Sequence, residues 1–169
     1  MIIDLDSIGR SPRQIDITFD ASQIELADEA RLVGKVDFRG SFSREGLRTI
    51  VQGEIATDLI VDCSRCLEPV NRHFDIPFEA VFVDTDDEAA DEEIRVGTEH
   101  LDESLVIDGQ IDIAEVVREQ IILALPETAL CREDCQGLCP KCGANRNLID
   151  CRCTDDEIDP RWAALKNLK

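Results

Sequence analysis

Hydrophobic and polar residues alternate along most of the first half of the chain. The alternation predicts strands over 32–42, 51–63 and 70–82, with a turn at 43–46, and shorter strands at 1–5 and 14–19. Because successive side chains of a strand point to opposite faces, each strand would bury one face. Consecutive strands with short turns favour an antiparallel meander or a partly closed barrel. Pro77 cannot donate to a ladder, so the third strand should have an edge or a bulge there.

A helix is predicted over 112–125, where the apolar positions change to the helical period. Asp112 and Glu115 fit a capping box at its start, and Pro126 ends it. Its apolar stripe should pack on the sheet. The stripe consists of Ile113, Val116, Val117, Ile121 and Ala124.

A shorter helix is predicted over the last residues, where Asp159 can cap it and Pro160 suits its first position. This helix could pack on the protein's own sheet or dock on a partner. The second alternative supplies four candidate partner-binding residues, which are Arg161, Trp162, Leu165 and Lys166.

Together these elements predict an α+β fold in three parts. Residues 1–130 would form a β-rich core with the packed helix and an acidic loop at 84–93. Residues 131–153 would be a cysteine-rich, zinc-knuckle segment, and 154–169 an acidic linker with the short C-terminal helix. The acidic loop is interpreted as a solvated loop, with a docking arm for a basic partner as the alternative.

The charge of the chain narrows its possible partners. Its 169 residues include 37 acidic and 18 basic ones, for a net charge of −19. Such a surface repels phosphate backbones, so direct RNA binding is not expected, and basic proteins or cations are the natural partners. No apolar run approaches the ~20 residues of a transmembrane helix, and Asp4 and Asp6 oppose a signal peptide. We therefore expect a cytoplasmic protein.

Eight cysteines in four close pairs carry the candidate chemistry. In a reducing compartment such pairs are more typical of metal ligands than of disulfides. Zinc takes four thiolates in a tetrahedron, so two pairs make one site. The short spacing of the last four cysteines favours one site for them and a second for the rest. The two predicted sites are Cys139, Cys142, Cys151 and Cys153, and Cys63, Cys66, Cys131 and Cys135. One or two zinc ions are expected, with iron as an alternative because sulfur ligands alone do not choose the metal.

Catalytic constellations are missing from the sequence. Of the two histidines, His73 falls on the polar face of its strand and His100 falls in a predicted loop. No phosphate-binding glycine loop or nucleophile elbow is present. A zinc ion held by four thiolates has no coordination position for water, so it builds structure. These features predict a non-enzymatic protein without a small-molecule substrate.

Four segments of the chain resemble a known family. They are DCSRCLEPV, IDIAEVVREQIILALP, CREDCQGLCPKCGANRNLIDCRC and DPRWAALKNL. In this order, over about residues 55–169, they resemble the YceD family of large ribosomal RNA subunit accumulation proteins. The resemblance implies a non-enzymatic cytoplasmic factor that supports accumulation of large-subunit (23S) ribosomal RNA, and hence ribosome biogenesis.

The acidic charge and the resemblance together give the functional hypothesis. The protein would serve ribosomal RNA through contacts with basic ribosomal proteins or with the assembling large subunit, because no basic and aromatic platform for RNA is visible. One alternative is a zinc-thiolate redox switch, in which oxidation ejects the metal and exposes a chaperone surface. Another is a zinc-stabilised interaction module with no ribosomal role.

Overall fold

A computed structural model describes residues 1–9, 11–26, 30–46, 48–84, 103–106, 109–153 and 161. Within these ranges the chain is mostly β-sheet with one α-helix. The strands are β1 (Ile2–Asp4), β2 (Arg13–Asp20), β3 (Arg31–Glu45), β4 (Arg48–Asp62), β5 (Pro69–Asp84), β6 (Glu103–Val106) and β7 (Gln110–Asp112). The helix is α1 (Ile113–Ala124), and two short 3-10 helices cover Leu5–Ser7 and Ala21–Gln23.

The predicted meander forms, and it extends into a mixed sheet. Strands β2, β3, β4 and β5 pair antiparallel in sequence order, and β6 then pairs parallel to β5. Strands β1 and β7 make a separate antiparallel pair. Among the described strands the five-stranded sheet is open, with β2 and β6 at its edges. The barrel alternative is therefore wrong for this part of the chain, because the four-residue β6 extends the sheet beside β5 without reaching β2.

The central strand β4 has the two faces that the alternation predicts. Val51, Ile55 and Leu59 are fully buried, whereas Gln52 and Glu54 on the other face are exposed. Strand β3 keeps its phase although its pairing with β4 slips between Val33 and Val36. At this slip β3 has two extra residues relative to β4. Because side chains alternate with a period of two, two extra residues leave the same side chains facing the core.

The structure refines one turn prediction and one strand prediction. The turn predicted at 43–46 is wrong, because Glu45 pairs with Arg48 and β3 therefore runs to Glu45. Gly46, with φ of 67°, lies in the two-residue loop that remains, and such loops require positive φ. At Pro77 the pairing with β4 continues without a bulge, and β6 pairs only with 81–84. Pro77 thus faces an edge of the described sheet, one of its two predicted settings.

Helix α1 packs on the sheet as its stripe predicts. Ile113, Val116, Val117 and Ile121 are buried in one core with side chains of β3 and β4. Asp112 caps the helix, since its carboxylate accepts the Ala114 N–H at 3.0 Å. The second hydrogen bond of a capping box, from the Asp112 N–H to the Glu115 side chain, is not formed among the described residues. The Glu115 carboxylate instead accepts from Arg118 at 3.0 Å.

Several predicted features lie outside the described residues. They are the acidic loop beyond Asp84, His100, and the C-terminal helix apart from Arg161, which is exposed. The three-part domain division stays a prediction. No helix in the described ranges is long and apolar enough to cross a membrane.

Candidate metal centres

Four cysteines meet where the β4–β5 hairpin ends. We call Cys63, Cys66, Cys131 and Cys135 the hairpin cluster, and their sulfur atoms all lie within 4.8 Å of one another. The Cys63 and Cys135 sulfurs are 3.8 Å apart, and the Cys66 and Cys131 sulfurs are 3.6 Å apart. Four sulfurs at about 2.3 Å from a tetrahedral zinc ion lie about 3.8 Å from each other. The hairpin cluster therefore has the dimensions of a four-thiolate metal site.

The remaining cysteines form a second group further along the chain. We call Cys139, Cys142, Cys151 and Cys153 the C-terminal cluster, and their sulfurs also lie within 4.8 Å of one another. Cys139 is buried and Cys151 half-buried, whereas Cys142 and Cys153 are exposed. The structure thus groups the cysteines as their spacing predicts, and each cluster could hold a metal ion.

The loop that carries Cys63 and Cys66 is a tight knuckle. The Cys63 N–H donates to the Glu68 carbonyl at 2.9 Å, and the Leu67 N–H donates to the Cys63 carbonyl at 2.9 Å. Counted from Cys63, the fifth residue of this turn needs a left-handed backbone conformation, and Leu67 adopts it with φ of 60°. Both cysteine side chains then point to the same side of the loop, where their sulfurs meet those of Cys131 and Cys135.

The C-terminal cluster begins with a second knuckle of the same form. The Cys139 N–H donates to the Ala144 carbonyl at 2.8 Å, and the Gly143 N–H donates to the Cys139 carbonyl at 2.8 Å. Gly143 takes the left-handed conformation with φ of 71°. The Cys-Pro-x-Cys-Gly pattern already places a glycine at the left-handed position, whereas the Cys-x-x-Cys pair at 63–66 is followed by a leucine.

Hydrogen bonds fasten the hairpin knuckle to the segment that follows α1. The Ser64 N–H donates to the Ala129 carbonyl at 2.7 Å, and the Ala129 N–H donates back to the Ser64 hydroxyl at 3.1 Å. The Arg65 guanidinium donates to the Cys135 carbonyl at 3.0 Å, and that of Arg72 donates to the Leu130 carbonyl at 2.9 Å. These contacts place Cys131 and Cys135 over the end of the hairpin.

The sulfurs of the hairpin cluster differ in how readily they ionise. Burial raises the pKa of the Cys63 thiol, but backbone N–H groups, chiefly those of Arg65 and Cys131, outweigh it and bring the pKa down to about 6. Burial, with the Cys66 thiol as the next cause, raises the pKa of Cys131 to about 12. A thiolate beside this thiol opposes a second negative charge. A cation between the sulfurs would remove that opposition, since metal ligation deprotonates thiols.

The C-terminal cluster repeats this contrast. The backbone N–H groups of Cys142 and Lys141 lower the pKa of Cys139 to about 6. The Cys142 side chain, followed by burial, raises the pKa of Cys153 to about 12. Each cluster therefore pairs a thiol that ionises easily with one that resists ionisation, and the donor set fits a thiophilic cation such as zinc.

One residue outside the cysteines also touches the site. The Asn147 side-chain N–H donates to the Cys135 sulfur at 3.3 Å, although Asn147 lies in the loop of the C-terminal cluster. This hydrogen bond, after burial, is the largest influence on the Cys135 thiol, whose pKa is lowered. In the sequence Asn147 is visible only as a turn-forming residue between two cysteine pairs, because its contact depends on how the loops pack.

The remaining predicted residues are the candidate partner-binding residues and His73. Trp162, Leu165 and Lys166 lie outside the described residues, so their role in partner binding stays a prediction. His73 is exposed on the polar face of β5, as predicted. Its two ring nitrogens lie 2.9 Å and 3.2 Å from carboxylate oxygens of Asp58 and Asp75.

Fold and site together define a β-sheet protein that carries two four-cysteine clusters at one end of its sheet. Residues 51–169 match the family model described as large ribosomal RNA subunit accumulation protein YceD. The chain belongs to this family.

Similar proteins come from bacteria and plants. An uncharacterized Mycobacterium tuberculosis protein is 31% identical over 98% of this chain and 79% of its own length. The uncharacterized protein YlbN of Bacillus subtilis is 26% identical over 99% of this chain and 94% of its own length. The Arabidopsis thaliana "large ribosomal RNA subunit accumulation protein YCED homolog 1, chloroplastic" is 40% identical over 36% of this chain and 19% of its own length. No solved structure gives a significant match.

Proposed function

We propose that the chain is a non-enzymatic, cytoplasmic zinc-binding factor that supports accumulation of 23S ribosomal RNA and thereby ribosome biogenesis. The observation that carries this proposal is the family match over 51–169, a segment that contains all eight cysteines. The name of the family and that of the plant relative refer to accumulation of large-subunit ribosomal RNA.

The role of zinc in this proposal is structural. Four thiolates in each cluster would complete a tetrahedral shell and leave no position for a substrate or water. Bound zinc would supply cross-links between segments that are too short and polar to fold alone, which are the hairpin knuckle and residues 131–153. Metal analysis of the purified protein tests this role, with two zinc ions per chain as the expected content. A finding of iron in place of zinc would change the identity of the metal but leave its structural role in the proposal unchanged.

The partner in this proposal is protein rather than naked RNA. The net charge of −19 repels phosphate groups and attracts basic proteins. The family name refers to the large ribosomal subunit, and the ribosomal proteins of that subunit are a basic class. A zinc ion held by four thiolates leaves a net negative site, so loading both clusters would add to the acidity.

A binding experiment with two arms tests the choice of partner. The zinc-loaded protein is titrated against basic large-subunit proteins and, separately, against naked 23S RNA, at several salt concentrations. We expect binding to a ribosomal protein that weakens as salt rises, and none to RNA. An unrelated acidic protein of similar net charge is the matched control for non-specific attraction. Tight, salt-sensitive binding to RNA alone would overturn the protein-partner assignment.

An experiment in cells tests the biological role. Depleting the protein should lower the ratio of 23S to 16S ribosomal RNA, and the wild-type chain should restore that ratio. A Cys63→Ser/Cys66→Ser variant, which keeps two of the four hairpin-cluster sulfurs, should restore it poorly. An unchanged RNA ratio after depletion would remove the support for a ribosomal role.

A further inference from the structure

Asn147 physically connects the two cysteine clusters. We infer that it couples them, so that metal binding at one cluster raises the metal affinity of the other. The inference rests on the proposed zinc binding and adds a property that neither cluster has alone. Asn147 is a positioning residue here, because it contacts a ligand sulfur and would not itself bind the metal.

The Asn147 amide uses all of its hydrogen-bonding capacity in this position. Its Nδ2 donates to the Cys135 sulfur at 3.3 Å and to the Asn145 Oδ1 at 2.8 Å. Its Oδ1 accepts from the Gln136 backbone N–H at 2.8 Å and from the Arg132 guanidinium at 2.6 Å. Three of these four contacts reach the loop of the hairpin cluster, although Asn147 lies between the two cysteine pairs of the C-terminal cluster.

Backbone contacts form a second link along the same seam. The Leu138 N–H donates to the Arg65 carbonyl of the hairpin knuckle at 3.0 Å. On its other side, Leu138 forms an isolated antiparallel bridge with Asn145, and the Arg146 N–H donates to the Gly137 carbonyl at 2.9 Å. A short stretch at 137–138 is thus held between the two loops, and a displacement of either loop would disturb both.

The space in this seam is already filled. Gly137 has a φ of 69°, and a Cβ placed on it would lie 3.0 Å from the Arg65 carbonyl oxygen. The loops therefore meet at backbone contact, which leaves little freedom for one to move alone. Packed contacts and hydrogen bonds that join two sites can carry energetic coupling between them.

Metal binding would fix the acceptor of the Asn147 contact. A sulfur held by a metal ion keeps one position, so the hydrogen bond from Nδ2 to the Cys135 sulfur would then orient the Asn147 side chain. Loading the hairpin cluster would hold Asn147 in place and with it the loop that brings Cys151 towards Cys142. Coupling between binding sites is reciprocal, so loading the C-terminal cluster must favour the hairpin cluster equally.

The two clusters should bind with different strengths. Three cysteines of the hairpin cluster are buried and its knuckle continues two strands of the sheet, whereas Cys142 and Cys153 are exposed. We assign the tighter zinc to the hairpin cluster and the weaker one to the C-terminal cluster.

Stepwise zinc removal from the full-length protein tests the coupling. Zinc-loaded protein is titrated with a chelator of known affinity, and released zinc gives two stepwise constants. Asn147→Ala should weaken both steps, by about 10-fold or more at the hairpin cluster, which is the usual effect of losing a partner of a metal ligand. The zinc content at excess metal should stay at that of the wild type. Gln136→Ala is the matched control. Among the described residues its side chain donates to the Asp134 carbonyl alone, while its backbone N–H still reaches Asn147.

A second variant isolates the hairpin cluster. Cys142→Ser/Cys153→Ser changes the two exposed ligands, and cobalt substitution reports by its thiolate spectrum whether a four-sulfur site remains. We expect that site to bind zinc as the tighter wild-type step does, because this zinc enters while the C-terminal cluster is empty. The coupling appears in the weaker step. The C-terminal cluster isolated by Cys63→Ser/Cys66→Ser should bind zinc about 10-fold more weakly than that step, and Asn147→Ala should add little in this background. An isolated C-terminal cluster that binds zinc as tightly as the weaker wild-type step would overturn the coupling, and so would an Asn147→Ala effect on that step that is equally large in the isolated cluster. A wild-type protein that binds no metal would instead overturn the proposed zinc binding itself.

Discussion

At the residue scale, the two knuckles give a natural comparison between leucine and glycine. Leu67 and Gly143 hold the same place in the same turn, with φ of 60° and 71°. The left-handed conformation costs an L-residue with a Cβ roughly 1–2 kcal/mol, and glycine avoids that cost. The Leu67 side chain is 63% exposed, so little burial offsets the cost. Leu67 is therefore a strained, exposed apolar residue beside a candidate metal site.

Exchanging the two residues should have opposite effects on stability. Leu67→Gly relieves the strain but frees the unfolded chain, so we expect a gain in unfolding free energy of up to about 1 kcal/mol. Gly143→Leu should lose about 1–2 kcal/mol through backbone strain alone, because a Cβ there meets no atom within 4 Å. Urea unfolding of the zinc-loaded proteins measures both. A loss of stability in Leu67→Gly would mean that the leucine side chain contributes more packing than its exposure indicates.

His73 should make stability depend on pH near neutrality. The Asp58 carboxylate, opposed by some burial and assisted by Asp75, raises the pKa of the imidazole above its usual 6.5. A raised pKa in the folded state stabilises the protein fully below the unfolded pKa, and this stabilisation is lost as pH rises through the folded pKa. We therefore expect the stability advantage of wild type over His73→Gln to be largest below about pH 6.5 and to shrink above it.

An NMR titration gives the matching check on the same residue. The His73 ring should titrate above 6.5 in the wild type and move back towards that value in Asp58→Asn, which removes the main cause of the shift. A wild-type pKa at or below 6.5 would contradict the ion-pair geometry.

At the element scale, the predictions succeeded where a pattern is long enough to repeat. Strand β4 keeps its period over fifteen residues and α1 keeps its stripe over twelve, so both were found from the sequence. Strands β6 and β7 have four and three residues, too few to establish a period, and their pairing is set by distant parts of the chain. The grouping of cysteines followed from local spacing, whereas Asn147 takes its contacts from packed loops and could not be assigned.

The close approach of β3 and β4 should make Gly53 intolerant of any side chain. Gly53 pairs with Gly40, and a Cβ on it would lie 2.4 Å from the Arg39 carbonyl oxygen and 2.7 Å from the Gly40 Cα. Both neighbours are backbone, so the strands themselves would have to separate. We expect Gly53→Ala to cost about 1–3 kcal/mol, the usual cost of overpacking.

A matched glycine variant separates this effect from the general effect of adding a methyl group. A Cβ on Gly9 would meet nothing within 4 Å, so Gly9→Ala should change the unfolding free energy by no more than about 0.5 kcal/mol. Thermal unfolding of the two variants beside the wild type measures the difference. Equal stability of both variants would show that β3 and β4 can separate at little cost.

At the scale of the whole molecule, the two clusters should contribute unequally to stability. The hairpin cluster ties the end of the sheet to the segment after α1, whereas the C-terminal cluster ties together only residues 139–153. We expect Cys63→Ser to lower the unfolding free energy by about 2–5 kcal/mol, as loss of a native cross-link does in a small domain. Cys142→Ser, the matched exposed ligand, should cost less.

Chelation extends this comparison to the unaltered protein. Zinc removal should lower the melting temperature of the wild type and make it susceptible to protease, and added zinc should restore both. The Cys63→Ser and Cys142→Ser variants should have lower melting temperatures before chelation, and chelation should lower them by less than it lowers that of the wild type. A wild-type melting temperature that is the same with and without the chelator would contradict a structural role for the metal.

The contact between Cys63 and Cys135 has a consequence for the connectivity of the chain. These two sulfurs join positions 72 residues apart, so a shared ion closes a ring that contains β5, β6, β7 and α1. A permanent cross-link over a ring of this size restricts the unfolded chain by roughly 4 kcal/mol, whereas an ion that leaves on unfolding stabilises the fold by its binding free energy instead. A disulfide would hold the ring only in oxidising surroundings, whereas a coordinated ion holds it under reduction and opens it when the ion is withdrawn. The local supply of metal would then set how stably the two ends of this ring are joined in the folded protein, and a cell short of zinc would lose the closure around all four elements together.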